Sequence, residues 1–252
     1  MPEFASVRAV RFITPLREGG SLPGLIEADD GACYVVKFRG AGQGPKALVA
    51  ELIVGELARA LGLAVPRLVR VELPEELGRN EGDPEVRALL LASAGTNVGL
   101  AFLPQALMFD PAADRWPDAA TASGIVALDA FAMNVDRTAR NPNLLWSGDT
   151  LYCIDHGAAL YWHHDWDGGS QGFDRPFPLV RQHVLLSRAD ALPQAMAALR
   201  QRLTDAAIAD AVAAVPPDWR LGIAADAYVH FLVARRDSTA FEQEALRARQ
   251  AL

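Results

Sequence analysis

The sequence changes character near residue 104. Before that point, short apolar runs alternate with glycine-rich and polar turns, which is the pattern of strands. After it, Ala/Leu-rich segments with helical spacing dominate to residue 252. Strands followed by helices favour an α+β fold. We expect a two-lobe, protein-kinase-like chain, with a small β-rich nucleotide-binding lobe over residues 1–104 and a larger, mostly helical catalytic lobe over residues 105–252.

A strand and a hairpin are predicted at the start of the chain. SVRAVRFIT, residues 6–14, reads as a strand, and LIEADDGACYVVKFRG reads as a hairpin turning at Asp29-Asp30-Gly31. In the second hairpin strand, one face carries Tyr34, Val36 and Phe38, and the other carries Cys33, Val35 and Lys37. Lys37 therefore ends an otherwise apolar face.

A long helix is predicted next, over residues 45–61, with a proline at its start and Gly62 as its C-terminal cap. It is apolar on most of its circumference, so its charged residues Glu51 and Glu56 stand out. PRLVRVELP reads as a strand and EELGRNEGDPE as a polar loop. EVRALLLASAG and VGLAFL are apolar segments whose type the pattern leaves open.

The second half holds a helix, a polar stretch and a hairpin in direct succession. TASGIVALDAFAM reads as a helix and leads into MNVDRTARNPN. LLWSGDTLYC reads as a hairpin turning at Ser147-Gly148-Asp149, and it ends at IDHG. A polar and aromatic loop follows, and residues 178–252 read as helical.

The charge and the cysteines narrow the possible classes of protein. The net charge of −7 disfavours non-specific nucleic-acid binding and an electrostatic hold on anionic membranes. Cys33 and Cys153 lie in apolar runs, as expected of buried free thiols in a reducing compartment. The N-terminus lacks a signal-peptide pattern, and no apolar run approaches the ~18 residues of a membrane span. We therefore expect a cytoplasmic protein.

Six features occur in an order that suits phosphoryl transfer from ATP. They are a glycine-rich turn, a lysine on a strand, a glutamate on a helix, an aspartate with an asparagine five residues later, a hairpin, and an Asp-x-Gly. Such chemistry needs a carboxylate facing the acceptor hydroxyl, oxygen ligands for Mg²⁺, and cationic and backbone groups for the phosphates. Each feature alone is common, but their assembly in this order by chance is improbable.

These residues resemble the HipA-like kinases, bacterial relatives of the phosphatidylinositol 3- and 4-kinases. The likeness rests on NVDRTARNPNLLW followed by YCIDHGAAL, and on YVVKF with the helix LVAELIVGELARALGLAVP. It covers most of residues 15–165. Its most specific part is Asn134, Asp136 and Arg137, which stand where ordinary protein kinases have His-Arg-Asp.

The resemblance implies a role for each matching residue. Asp136 would act as the catalytic base or orienting group, within a catalytic set of Lys37, Asn134, Asp136 and Arg137. Asn141 and Asp155 would hold Mg²⁺. The nucleotide would be bound by Gly20, Ser21, Val35, Lys37 and Glu51, with Lys37 on the phosphates and Val35 lining the adenine pocket.

Three points remain as alternatives. Asn143 directly precedes the apolar Leu144-Leu145 and competes with Asn141, which the spacing from Asp136 favours. Glu51 matches the helix of the family as the partner of Lys37, and Glu56 is the alternative. His163-His164-Asp165 reads as part of a flanking loop in preference to a metal site, since adjacent residues rarely ligate one ion.

The expected activity is that of an ATP- and Mg²⁺-dependent kinase acting on a hydroxyl group. A protein Ser/Thr acceptor is the first expectation, and a small hydroxyl metabolite is the alternative acceptor. A nucleotide-binding switch or scaffold with little turnover is the competing class of function. A lipid kinase is disfavoured, because no basic amphipathic segment accompanies the acidic net charge.

Overall fold

The computed structural model describes residues 4–16, 22–42, 44–168 and 172–252. The chain divides into two compact units, each made of two stretches of sequence. The first comprises Met1–Val49 and Pro66–Pro104, and the second comprises Ala50–Val65 and Gln105–Leu252. The assignment of nucleotide binding to residues 1–104 and catalysis to residues 105–252 stays a prediction.

The first unit is built on a closed five-stranded barrel. Its strands are β1 (Ser6–Pro15), β2 (Gly24–Ala28), β3 (Cys33–Lys37), β4 (Leu68–Leu73) and β5 (Gly95–Ala101). They follow the order β1-β2-β3-β5-β4, and the parallel pairing of β1 with β4, at Val7 and Val71, closes the ring. A Cβ atom at Gly99 would lie 2.5 Å from the Val71 Cγ2 atom, so the close approach of β4 and β5 requires glycine there.

The predicted β2–β3 hairpin and the alternation along β3 are confirmed. Glu27 pairs with Cys33 and Ile26 with Tyr34. Tyr34, Val36 and Phe38 are buried in the core of the barrel, while Cys33, Val35 and Lys37 are only partly buried. The period of two therefore placed Val35 and Lys37 on the same face, away from that core.

The prediction of a polar loop over residues 75–85 is wrong. Helix α2 (Glu75–Arg79) occupies its first half, and helix α3 (Pro84–Ala92) begins at its end. The Asp83 side chain caps α3 by accepting hydrogen bonds from the backbone N–H groups of Glu85 and Val86. A Cβ atom at Gly78 would come within 3.0 Å of the Leu91 side chain, so α2 packs closely on α3. The two undetermined apolar segments are α3 and β5.

The predicted long helix is confirmed as α1 (Gly44–Ala60), which begins in the first unit and ends in the second. Its C-terminal turn is closed by Gly62, which has a φ of 81°. The Gly62 N–H donates to the Arg59 carbonyl, and the Leu63 N–H donates to the Ala58 carbonyl. Gly62 therefore ends the helix as predicted.

The second unit is mostly helical and contains one small sheet. Helix α4 (Ala119–Ala132) precedes a hairpin of β7 (Leu144–Ser147) and β8 (Thr150–Cys153), and β6 (Leu107–Met108) pairs with β7. The predicted helix and hairpin are thus confirmed. The predicted helical C-terminal stretch is also confirmed, with the helices α5 (Leu192–Arg202), α6 (Asp205–Ala213), α7 (Ala225–Asp237) and α8 (Ala240–Gln250).

Both cysteine thiols are free. Cys153 is buried at the end of β8, and this burial raises the pKa of its thiol to about 12, so it stays protonated at neutral pH. Among the described residues, no helix combines the length and apolar character that crossing a bilayer requires.

Candidate active site

The site begins at a buried carboxylate on α4. Asp129 is fully buried in a helix whose other residues are almost all apolar. Its Oδ1 atom accepts a hydrogen bond from Asn134 Nδ2 at 3.0 Å. Its Oδ2 atom lies 2.5 Å from Arg137 Nε and 2.9 Å from His183 Nε2. The Asp129 side chain therefore binds three other side chains, two of which belong to the loop that follows α4.

The charges of this cluster stabilise one another. Burial by itself would raise the pKa of Asp129, but Arg137 and His183 outweigh it and hold that pKa well below its ordinary value. Burial would likewise lower the pKa of Arg137, and the Asp129 charge outweighs it and raises that pKa. Asp129 and Arg137 therefore form a buried ion pair, and removing either partner would leave an uncompensated charge.

Arg137 also connects the loop to the hairpin. Its Nη1 atom donates hydrogen bonds to the main-chain carbonyls of Asn143, just before β7, and Ile154, just after β8. Its Nη2 atom lies 3.2 Å from His156 Nδ1. The guanidinium thus joins the loop after α4 to both ends of the hairpin.

Asp136 lies in the middle of this loop, between two amide side chains. Its Oδ2 atom accepts a hydrogen bond from Asn141 Nδ2 at 2.7 Å, and Asn143 Nδ2 lies 3.4 Å from the same oxygen. Its backbone N–H donates to Asn134 Oδ1 at 3.1 Å. Asp136 as a whole is only partly buried.

The turn from Thr138 to Asn141 is closed by its own backbone. The Thr138 N–H donates to the Asn141 carbonyl at 3.1 Å, and the Asn141 N–H donates to the Thr138 carbonyl at 3.2 Å. These two bonds hold Asn141 close to Thr138, which lies two residues after Asp136. Asn141, which the spacing favours, and its alternative Asn143 both lie beside Asp136, so the contact alone does not choose the metal ligand.

Three residues around the site have left-handed backbone conformations without being glycine. Met133, Asn143 and Asp155 have φ values of 54°, 51° and 54°. Such conformations cost energy for residues with a side chain, less for Asn and Asp, and they concentrate at functional sites. The Ile154 N–H donates to the Asn143 carbonyl at 3.1 Å, which holds the segment entering Asp155 beside Asn143.

Helix α1 contributes a buried carboxylate to the second unit. Glu51 is fully buried, and its Oε2 atom accepts a hydrogen bond from the His156 N–H at 2.7 Å. Glu56 is partly exposed, and its carboxylate lies 3.4 Å from Arg59 Nη1. The structure therefore places Glu51 beside the residue that follows Asp155. Its pairing with Lys37 stays a prediction.

The remaining predicted nucleotide-binding residues belong to the first unit. Lys37 and Val35 lie on β3, partly buried. Gly20 and Ser21 lie outside the described residues. Their roles stay predictions.

In the loop after the hairpin, Trp162, His163 and Trp166 are buried or partly buried, while Tyr161 and His164 are exposed. Trp162 stacks on Phe231, with ring centroids 4.2 Å apart and planes inclined by 20°. His163 is buried, and its Nδ1 atom lies 3.1 Å from Tyr228 Oη. Trp166 meets Trp162 edge-on at 5.3 Å.

The donor set at the site suits a hard cation. Mg²⁺ prefers oxygen ligands, with one or two carboxylates supplemented by neutral oxygens and substrate phosphates. Asp155 offers a carboxylate. Asn141 uses its amide nitrogen on Asp136, so the oxygen of the same amide is the atom available for a cation.

Asp129 and His183 were missed in the sequence. Asp129 had a signal, because it is the only charged residue in the apolar run GIVALDAFA, and a charge in such a run needs a buried partner. His183 had none, since it is 54 positions from Asp129 in a segment without a recognisable pattern.

A barrel unit and a helical unit, with Asp136 and its amides on a loop fixed to a following hairpin, define an ATP-dependent phosphotransferase of the kinase-like class. The sequence model of the HipA-like kinases matches residues 9–238, and the chain belongs to this family. No curated protein matches the sequence.

Solved structures of kinases share the fold. The Helicobacter pylori proinflammatory kinase CtkA matches with a TM-score of 0.64 at 11% identity, covering 98% of each chain. The Golgi casein kinase with Mn/ADP bound matches with a TM-score of 0.54 at 13% identity, covering 99% of this chain and 74% of the other. A second structure of the Golgi casein kinase gives 0.53 at 12% identity, over 100% and 74%. At these identities the likeness establishes the two-lobe fold.

Proposed function

We propose that the protein transfers the γ-phosphoryl group of ATP, with Mg²⁺, to a hydroxyl acceptor, and that a protein Ser or Thr is the first candidate acceptor. The observation that carries the proposal is the setting of Asp136. The residue is only partly buried, and its carboxylate is held by Asn141 on a loop fixed through Arg137 to the buried Asp129. A purely structural aspartate has no need of such a support.

Asp136 orients the acceptor hydroxyl and accepts its proton as the new bond to phosphorus forms. The buried contacts of Arg137 make it a positioning residue for this loop, and Asn134 acts in the same way through its bond to the Asp136 N–H. Positioning is the main contribution that such a site makes to phosphoryl transfer.

Asn141 and Asp155 are the proposed ligands of Mg²⁺, which neutralises charge on the phosphates when it is bound. Lys37 is proposed to bind the phosphates, Val35 to line the adenine pocket, and Glu51 to orient Lys37. Gly20 and Ser21 are proposed to cover the phosphates with backbone N–H groups. The Mn/ADP bound to the Golgi casein kinase of similar fold supports a divalent metal and an adenine nucleotide here.

Asp136→Asn and Asp155→Asn should fail in different ways. Asp155→Asn removes a negative charge from the proposed cation site, so both metal-dependent ATP affinity and turnover should fall. Asp136→Asn should leave MgATP binding near normal and lower turnover by roughly 10²–10⁴-fold. Calorimetric titration of MgATP, together with phosphate release or autophosphorylation, measures the two effects.

Normal turnover of Asp136→Asn, or an equal loss of nucleotide affinity in both variants, would contradict the role assignment. MgATP binding by the wild type without any ATP depletion, with and without protein or small hydroxyl acceptors, would instead support a nucleotide-binding switch or scaffold.

A further inference from the structure

The carboxyl end of α4 has an unusual set of hydrogen-bond donors. The last four carbonyls of a helix have no partner within the helix. Here the Asp129 carbonyl accepts from the Asn134 N–H, and the Ala132 carbonyl accepts from the Leu160 N–H at 2.8 Å. The two carbonyls between them, those of Ala130 and Phe131, are both bound by Arg235 of α7.

The same guanidinium reaches a second segment. Arg235 Nη1 donates to the Phe173 carbonyl at 3.0 Å and to the Arg175 carbonyl at 3.1 Å. Its Nε atom serves the Phe131 carbonyl at 2.5 Å, and its Nη2 atom serves the Ala130 carbonyl at 2.9 Å. One side chain therefore bonds four main-chain carbonyls, two on α4 and two on the chain far downstream.

Arg235 is fully buried, and within the described ranges no carboxylate forms an ion pair with it. Burial lowers the pKa of its guanidinium to about 10, so it still carries its charge at neutral pH. A buried charge without a counter-charge is costly. The negative end of the α4 dipole and the Phe241 ring, 5.1 Å from the guanidinium carbon, partly compensate.

The neighbouring residues on α7 contact the same stretch of chain. We call residues 158–168 and 172–177 the post-hairpin segment, because it follows Asp155-His156-Gly157. Tyr228 contacts His163, Phe231 stacks on Trp162, and Arg235 binds the far end of the segment. Spacings of three and four residues put these three on one face of a helix. That face of α7 therefore contacts the post-hairpin segment at three positions, and Arg235 also binds α4 from it.

Both ends of the segment are thus joined to the carboxyl end of α4, which leads into the loop that carries Asp136. Leu160 is bonded to Ala132, which lies just before the loop, and Phe173 is joined to Phe131 through Arg235. The segment starts at residue 158, three positions after the proposed metal ligand Asp155. The bond from Leu160 joins the segment to Ala132, which lies four residues before Asp136, the carboxylate proposed to face the acceptor.

We propose that Arg235 is a positioning residue for the phosphate acceptor, fixing the post-hairpin segment to the carboxyl end of α4 so that the surface it offers an acceptor stays at a constant distance from Asp136. The acceptor part of this inference rests on the proposed function. We call the hydrogen bonds from Arg235 to the carbonyls of α4 and of the post-hairpin segment the Arg235 clamp. The clamp does not depend on the proposed function, because these bonds are part of the local structure.

The test compares Arg235→Met and Arg235→Lys with Arg236→Met in the full chain. Arg236 is a matched control, because it lies on the same helix and is mostly buried but binds the Leu203 carbonyl and Asp205. Lysine keeps the charge of Arg235 but lacks the forked set of N–H donors that can bind α4 and the post-hairpin segment at the same time. On all three variants and the wild type we would measure amide hydrogen exchange, calorimetric MgATP titration and phosphorylation of casein. Dephosphorylated casein serves as a generic protein acceptor.

Exchange in the post-hairpin segment should accelerate by about tenfold or more in both Arg235 variants, as expected when several hydrogen bonds of a local unit are lost. It should stay unchanged in Arg236→Met. MgATP affinity should stay within about twofold of the wild type, while kcat/KM for casein should fall by at least about tenfold, by analogy with losing a substrate-positioning group.

Unchanged exchange in the segment, or exchange that rises equally across α5 to α8, would overturn the clamp. Accelerated exchange with unchanged kcat/KM for casein would overturn the acceptor role. Failure of the wild type to phosphorylate casein would count against the proposed protein acceptor and therefore against the acceptor role, and the exchange pattern would still decide the clamp.

Discussion

Asp136 has two amide neighbours, Asn141 and Asn143, and substitution can show which of them binds the metal. Asn141→Ala should weaken metal-dependent ATP binding and turnover, because it removes the proposed amide ligand. Asn143 is left-handed, with a φ of 51°, so Asn143→Gly removes its amide without straining the backbone. This variant should keep MgATP affinity within a few-fold. Calorimetry over a range of Mg²⁺ concentrations measures both, and the reverse pattern would assign the metal to Asn143.

Asp129 should matter for stability before it matters for chemistry. Asp129→Asn keeps the shape of the side chain but leaves Arg137 buried without its counter-charge, so urea unfolding at pH 7 should show a loss of about 3–5 kcal/mol. Asp149→Asn is the control, because Asp149 is fully exposed at the hairpin turn, and we expect it to unfold like the wild type.

The same variant should change the response to acid. The pKa of Asp129 is lowered in the folded protein, so its contribution to stability is complete above its unfolded value, 3.8, and is lost as the pH falls below that value towards the folded pKa. Wild-type stability should therefore drop more steeply below about pH 4 than that of Asp129→Asn. Parallel slopes in the two proteins would contradict this role of the carboxylate.

Helix α1 brings the Glu51 carboxylate to the end of the hairpin. Its isosteric variant, Glu51→Gln, can separate two roles of this residue, namely binding the His156 N–H and orienting Lys37. Glu51→Gln retains a carbonyl oxygen that can accept from the His156 N–H, so the free energy of unfolding should change by less than about 1 kcal/mol. If Glu51 also orients Lys37, MgATP affinity should fall roughly as it does in Lys37→Met. Thermal unfolding and MgATP titration of the two variants provide the comparison, and Glu56→Gln serves as the control. Unchanged affinity in Glu51→Gln would contradict the proposed role of Glu51 in orienting Lys37.

Elements with a regular period or a glycine end were predictable from the sequence, and a short polar helix was not. The alternation of β3 and the apolar α4 follow from local pattern, as does the glycine end of α1. Helix α2 was missed, because its five residues are mostly polar and its closest packing, at Gly78 on Leu91, involves residues well separated along the chain. Local pattern reports burial that repeats, and α2 is too short to show a repeat.

At the scale of the whole molecule, order along the chain predicted the class of fold and the loop that carries Asp136. The spacing from Asp136 to Asn141 is local, so it is visible in sequence and is closed by a turn in the structure. The support of that loop is not local: His183 reaches Asp129 from another segment, and Arg235 binds carbonyls 104 and 105 positions away. Contacts between main-chain carbonyls and distant side chains leave no trace in residue pattern, because every residue has a carbonyl.

The route of the chain between its two units determines which fragments can be expressed alone and which segments can be exchanged between related genes. Residues 50–65 belong to the second unit although first-unit sequence lies on both sides of them. A fragment that ends at residue 104 would carry Leu52, Ile53 and Leu57, all fully buried in the intact chain, without the second-unit residues they belong with, and would be prone to aggregate. A fragment that begins at residue 105 would lack the Glu51 carboxylate that accepts from His156 and the Ala64 carbonyl that accepts from Cys153. A genetic crossover at residue 104 between two relatives would therefore exchange part of the second unit along with the first, so helix α1 and the hairpin of β7 and β8 should be inherited together.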